Sequence, residues 1–189
     1  MALSSTAIFD GHNDLLLRLV QHAPDEAARL FIEGRDTGHL DWPRMQTGGF
    51  VGGLFAVFIP SPEADRRGFH RIEGGYEVPV PAPMDQSRAL TPALDMIGLL
   101  HRIERTHPDH LQVCRTVADI RAALRIGAVA AVLHLEGAEP IDADLRALDG
   151  LYAAGLRSIG PVWSRANAFG HGVPFKFPSS PDTGPGLTR

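Results

Sequence analysis

Residues 7–17 read AIFDGHNDLLL. A short apolar run, Ala7 to Phe9, leads straight into a polar cluster of Asp10, His12, Asn13 and Asp14. This is the pattern of a buried strand that delivers polar groups at its carboxyl end, where parallel α/β folds gather their chemistry. Alternation along a strand puts His12 and Asp14 on one side, with Asp10 in register behind them. An imidazole and a carboxylate so placed can grip one cation. The spacing alone is weak: His-x-Asp occurs at His12/Asp14, His39/Asp41 and His107/Asp109, where composition predicts about 0.7 occurrences. The second and third pairs lie in turn-rich GHLDWPR and THPDH, where a solvated His and a turn or capping Asp are the ordinary reading. Only the first closes an apolar strand.

Around this stretch the composition is that of one globular domain: 189 residues, 44% hydrophobic and 21% charged, enough chain for a sizeable core. A net charge of −4 with no run of Lys or Arg lacks the electrostatic footprint of nucleic-acid binding, so no nucleic-acid partner is expected. The single cysteine, Cys114, cannot form an intramolecular disulfide, suits a reducing compartment and reads as a small core residue. The first basic residue is Arg18, and the apolar residues before it are too few for a signal peptide. No stretch approaches the roughly 20 apolar residues of a membrane span. The expectation is a soluble, cytoplasmic protein with no membrane segment.

Along the chain, residues 18–45 are polar and read as a connection holding one short helix, Asp25 to Ile32. GGFVGGLFAVFIP, Gly48 to Pro60, predicts a second, fully buried strand. Its paired glycines fit close backbone packing better than a phosphate loop, since no Gly-Lys-Ser/Thr follows. Residues 61–90 are rich in Pro, Gly and charge and predict a surface loop, with PVPAP extended. A helix capped by Thr91 with Pro92 in its first turn runs to His107-Pro108, and another covers Val117 to Ile126. AVAAVLHLEGAEP, Ala128 to Pro140, predicts a third strand with His134 and Glu136 on one face at its carboxyl end. His134 reads as a hydrogen-bonded core histidine and Glu139 as a solvated loop carboxylate. A helix from Asp142 to Ala154 and a strand from Leu156 to Ser164 follow, then a Gly- and Pro-rich loop. Strands alternating with helices predict a parallel sheet with helices outside.

His12, Asp14 and Glu136 offer nitrogen and oxygen ligands without sulfur, which favours zinc, manganese or iron in a hydrolytic site over a structural zinc site. A carboxylate such as Glu136 suits bridging two cations, a pair that generates a hydroxide nucleophile and polarises a carbonyl. Asp10 then reads as a residue that orients a ligand.

DGHNDL, GGFVGGLFAVFIP, HLEGAEP, and GLRSIGPVWSRANAFG followed by PDTGPGLT, in this order, resemble the membrane dipeptidase (renal dipeptidase) family of zinc metallopeptidases. The resemblance covers essentially the whole chain. It implies a (β/α)₈ TIM-type barrel with a two-zinc site that hydrolyses dipeptides, and it makes His12 and Asp14 ligands of the first zinc and Glu136 the carboxylate bridging both. The family's later elements, two histidines on the second zinc, an arginine for the substrate carboxylate and an aspartate that handles protons, fall beyond Arg189. Residues 1–189 therefore read as a single domain, about the first half of the barrel, for which weak or no catalysis alone is expected. At the fourth strand the mammalian-type enzymes carry a histidine where this chain has Trp163. An indole can pack against a substrate side chain but is no imidazole-like electrophile. Asn167 and His171 follow in a loop that can reach a pocket, the other reading being a turn Asn and a solvated His.

The leading expectation is a metal-dependent dipeptidase acting on a small dipeptide-like substrate. The alternatives are a non-catalytic fragment, serving as a metal-binding module or assembling through an open sheet edge as in a homo-oligomer, and a barrel hydrolase for another amide or ester.

Overall fold

The first strand ends just before the second charged ligand residue. In the computed structural model, which describes residues 6–62, 68–180 and 186–188, β1 spans Ile8–Asn13, and Asp14 is the N-cap of a short helix, α1 (Leu15–Leu19). Ile8 and Phe9 are 49% and 46% exposed, so β1 is not the buried strand its sequence suggests. The reason is its place: it heads the sheet order and, among the described strands, pairs only with the strand after it.

The polar connection holds more helix than its sequence suggests. α2 (Pro24–Glu33) covers the expected segment, with Ala27, Ala28 and Phe31 buried on one face. α3 (Trp42–Gly48) lies where only a connection is read. Its cap is Asp41, whose carboxylate accepts the Arg44 backbone N–H at 2.9 Å and pairs with the Arg44 guanidinium. β2 (Phe50–Phe58) then runs parallel to β1. A Cβ at Gly52 would meet the Ala130 carbonyl at 2.6 Å and the Phe9 ring at 2.8 Å, so the glycines serve close packing as read.

Residues 61–90 are not a featureless loop. β3 (His70–Ile72) and β4 (Gly75–Val78) form an antiparallel hairpin, with His70 opposite Glu77 and Arg71 opposite Tyr76. The next helix, α4, spans Gln86–Thr106 and so begins at Gln86 rather than Thr91, carrying Pro92 inside. Its start is set by the Asp85 carbonyl, which accepts the N–H groups of Arg88 and Ala89 at 3.0 and 3.1 Å. Pro92 lies near enough to this end that its missing N–H costs one early hydrogen bond rather than the helix.

A three-residue strand too short to read, β5 (Leu111–Val113), precedes α5 (Val117–Ile126), whose bounds match the expectation. Thr116 and Asp119 form a reciprocal capping box. β6 (Val129–Glu136) pairs parallel with β5, Leu111 opposite Val129. α6 (Arg146–Ala153) starts later than Asp142, because the Asp142 carboxylate accepts the Arg146 and Ala147 N–H groups at 3.2 and 2.8 Å. β7 (Leu156–Gly160) ends before Pro161, which has no N–H for a ladder. β8 (Phe175–Phe177) pairs antiparallel with β4. One sheet runs β1-β2-β6-β5, with β7 also on β6; the other is β3-β4-β8.

Two compact units divide the chain. One holds residues Met1–Val57, Leu94–His134 and Leu151–Ser158, and its core gathers Leu16, Leu19, Phe31, Met45, Phe55, Met96, Leu100, Ile103, Leu111 and Leu133, all fully buried. Cys114 is buried there too, and burial, then Asp119 and Glu104, push its thiol up to about 11. The other holds Phe58–Ala93, Leu135–Gly150 and Ile159–Arg189, and buries Ile59, Leu135, Ala138 and Ile141. Among the described residues no helix is long and apolar enough to cross a membrane.

Candidate metal centre

His12 stands near the end of β1 and Asp14 one residue past it, with the imidazole Nε2 3.7 Å from the carboxylate Oδ1. Glu136 is the last residue of β6. His12, Asp14 and Glu136 together make a group of nitrogen and oxygen donors that could hold a metal ion. Such a set of one imidazole and two carboxylates fits a divalent cation of borderline or hard character. The side chains of His12 and Asp14 are 40% and 47% exposed, so both donors are open to solvent.

Asp14 reaches His12 without strand alternation, because the strand ends at Asn13. Asn13 makes that corner. It is 6% exposed, and its side-chain amide donates to Asp10 Oδ2 at 3.1 Å and to the Leu54 carbonyl at 3.3 Å. Its amide oxygen accepts the Leu15 N–H at 3.3 Å. Asp10 thus bonds Asn13, the residue between the candidate donors His12 and Asp14.

His134, two residues before Glu136 on the same face of β6, sets its ring edge-on to His12, with centroids 5.6 Å apart and planes at 79°. Its Nδ1 is 2.8 Å from the Ser158 hydroxyl on β7. Burial, and then the neighbouring His12, hold its pKa below the ordinary imidazole value and favour the neutral ring. The core reading of His134 holds, and the ring also forms a rigid backing for His12.

Glu139 is not the solvated carboxylate its place beside Pro140 suggests. It is 7% exposed, and Oε1 accepts from Arg165 Nε at 3.0 Å; Arg165 is itself 6% exposed. The same guanidinium donates to the Ile59 carbonyl at 2.7 Å and to the Ser61 hydroxyl at 2.9 Å. It therefore ties together the chain after β2, after β6 and after β7. Gly137, at φ +92°, lies under the Glu139 carboxylate, where a Cβ would have no room. The only sequence signal for this pair is that each charge lies in the loop that follows a strand, Glu139 after β6 and Arg165 after β7.

Trp163, 44% exposed, packs edge-on between Phe58 and Phe175. Asn167 holds its own loop: Nδ2 donates to the Pro161 carbonyl at 2.8 Å, and Oδ1 accepts the Phe169 N–H at 2.9 Å. His171 is exposed. Residues 181–185, most of the PDTGPGLT motif, lie outside the described residues.

The sequence profile described as membrane dipeptidase (peptidase family M19) matches residues 2–189. The chain belongs to that family. A curated relative from Acinetobacter calcoaceticus, described as an uncharacterized protein in the PQQ-III 3′ region, is 39% identical over 181 residues, covering 96% of this chain and 56% of that protein. Among solved structures, a metallopeptidase called dipeptidase AC is 47% identical with a TM-score of 0.86, covering 98% of this chain and 51% of the other. A Rhodobacter sphaeroides metallopeptidase bound to a phosphinate mimic of the dipeptide L-Ala-D-Ala is 46% identical with a TM-score of 0.87, covering 98% and 53%. The chain thus spans little more than half the length of these M19 relatives. Its fold is the matching part of the family's (β/α)₈ barrel, an α/β architecture with a parallel sheet.

Proposed function

We propose that this chain supplies the first part of the active site of a zinc-dependent dipeptidase, with His12 and Asp14 holding the first zinc and Glu136 bridging to a second. The observation that carries this reading is a donor group of one imidazole and two carboxylates, at the ends of β1 and β6, in a chain of the M19 family. The phosphinate dipeptide mimic in the Rhodobacter sphaeroides relative supports the substrate class. Zinc held there would supply a hydroxide nucleophile near neutral pH and polarise the scissile carbonyl.

The chain's own residues do the positioning. His12 presents an imidazole nitrogen, its ring backed edge-on by His134, and the Asp10–Asn13 contact fixes the corner that turns Asp14 toward it. Trp163 contributes an apolar wall for a substrate side chain, and Asn167 shapes the loop beyond it. We assign residues 1–189 to one barrel domain, and the activity to the complete gene product.

Asp14→Ala and Glu136→Ala in the complete protein are expected to bring dipeptide turnover to background while circular dichroism and thermal midpoint stay close to wild type. Each should also lower the zinc content measured after dialysis. Unchanged turnover in either variant would sink the assignment. A second reading, hydrolysis of another amide or an ester, rests on Trp163 at the place where the resemblance puts a histidine in the mammalian-type enzymes; a substrate panel in which dipeptides outrank every other amide and ester removes it.

A further inference from the structure

We propose that the cavity walled by Phe58, Trp163 and Phe175 receives one large apolar side chain of the substrate, so that the enzyme favours dipeptides carrying an aromatic or branched aliphatic residue. This rests on the dipeptidase reading above and names its substrate class more narrowly.

The indole of Trp163 meets Phe58 at 5.3 Å between centroids and 81° between planes, and Phe175 at 4.9 Å and 76°. Val78, Pro79 and Pro81 extend the apolar wall of a cavity of about 200 Å³, which Ser61, Ser164 and Arg165 also line. Size decides what enters. An apolar cavity of ~150 Å³ holds a benzene ring, whereas pockets that engulf a whole small ligand run to roughly 300–1,000 Å³. The space takes one bulky side chain and no more of the substrate.

Charge excludes the polar alternatives. Arg165 borders the cavity, but its guanidinium is engaged by Glu139, the Ile59 carbonyl and the Ser61 hydroxyl, and the buried Glu139 carboxylate offsets its charge. Among the described residues, neither an acidic nor a basic side chain finds a free counter-charge there. The wall is also preorganised, since the Trp163 carbonyl accepts the Val173 N–H at 2.9 Å and the indole already meets Phe58 and Phe175 edge-on, which lowers the ordering cost of binding.

Position links the cavity to the metal centre. Phe58 is the last residue of β2 and Trp163 follows β7, and the Gly137 N–H bonds the Gly160 carbonyl at 2.9 Å immediately after Glu136. Two of the cavity's walls thus stand at or just past the carboxyl ends of β2 and β7, the neighbours of the strand that carries the candidate bridging ligand. Beyond it the apolar face continues. Val78 stands opposite Phe175 and Tyr76 opposite Phe177, and the exposed Tyr76 ring is stacked between Phe69 and Phe177 at 5.2 and 6.4 Å. A side chain longer than the cavity finds further apolar surface.

The test measures kcat/KM of the complete zinc-loaded protein on Xaa-Ala and Ala-Xaa series with Xaa as Ala, Leu, Phe, Asp and Lys. Wild type should favour Leu or Phe over Ala, Asp and Lys at least tenfold in one series, since apolar pockets discriminate by roughly 10–200-fold per group. Phe175→Ala should cut that ratio about tenfold, and Val78→Phe, which fills the cavity from the hairpin, should turn the preference toward Ala. A ratio unchanged in both folded variants overturns the proposal. Binding is read separately in metal-free protein carrying 5-fluorotryptophan, with the Trp163 resonance assigned by its loss in Trp163→Phe. A shift of that resonance with Phe-Ala or Ala-Phe but not with Ala-Ala keeps the pocket even if no dipeptide is hydrolysed. No shift with any of them rejects the pocket while turnover stands on its own.

Discussion

At the scale of single residues, burial separates charges that look alike in sequence. Glu139 and Glu136 both follow the apolar run of β6, yet Glu136 offers a donor to the metal centre whereas Glu139 is locked to Arg165 inside the protein. Removing one partner of a buried pair strands the other charge, so Arg165→Met should cost roughly 3–5 kcal/mol in urea unfolding of the complete protein. The double change Arg165→Met with Glu139→Leu should cost clearly less than the two single changes added. Arg165→Lys should recover little, since an ammonium cannot reach three acceptors in the plane that the guanidinium fork spans. The candidate donors were legible because imidazole and carboxylate at a strand end have a chemical meaning of their own. The Glu139–Arg165 pair was not, since nothing in either neighbourhood of sequence specifies a partner 26 residues away.

At the scale of elements, local chemistry explains where sequence and structure agree. α5 is bounded by its own residues, with Thr116 and Asp119 satisfying its first N–H groups and Gly127 following its end. Thr116→Ala should therefore destabilise the protein by about 1 kcal/mol in thermal or urea unfolding. Asp119 is held below its ordinary value of 3.8, first by the Arg115 backbone N–H and then by the Thr116 hydroxyl. Its charged form favours the folded state, so this contribution is fully present above the ordinary value and is lost as pH falls through the lower, folded one. Asp119→Asn should accordingly be less stable than wild type at pH 7, with the difference closing in strong acid, as stability curves against pH would show. By contrast β3, β4 and β5 are three or four residues long. Strands so short carry too few alternations to register against the turn residues around them, and their pairing partners make them strands.

For the whole molecule, a net charge of −4 without a basic cluster predicts no retention on heparin or double-stranded DNA at physiological salt; retention that weakens steeply with added salt would contradict it. The order of strands and helices, the parallel architecture and the three candidate ligands are properties of sequence, because apolar periodicity and residue chemistry act over a few neighbours. Tertiary structure alone decided that β1 lies at the end of its sheet order with Ile8 and Phe9 half exposed, that residues 61–90 build a hairpin completed by β8, and that Arg165 finds Glu139. It also decided that Trp163 stands between Phe58 and Phe175. Each of these depends on groups far apart in the chain, and burial, sheet edges and paired charges are set by which distant segments meet rather than by the residues alongside.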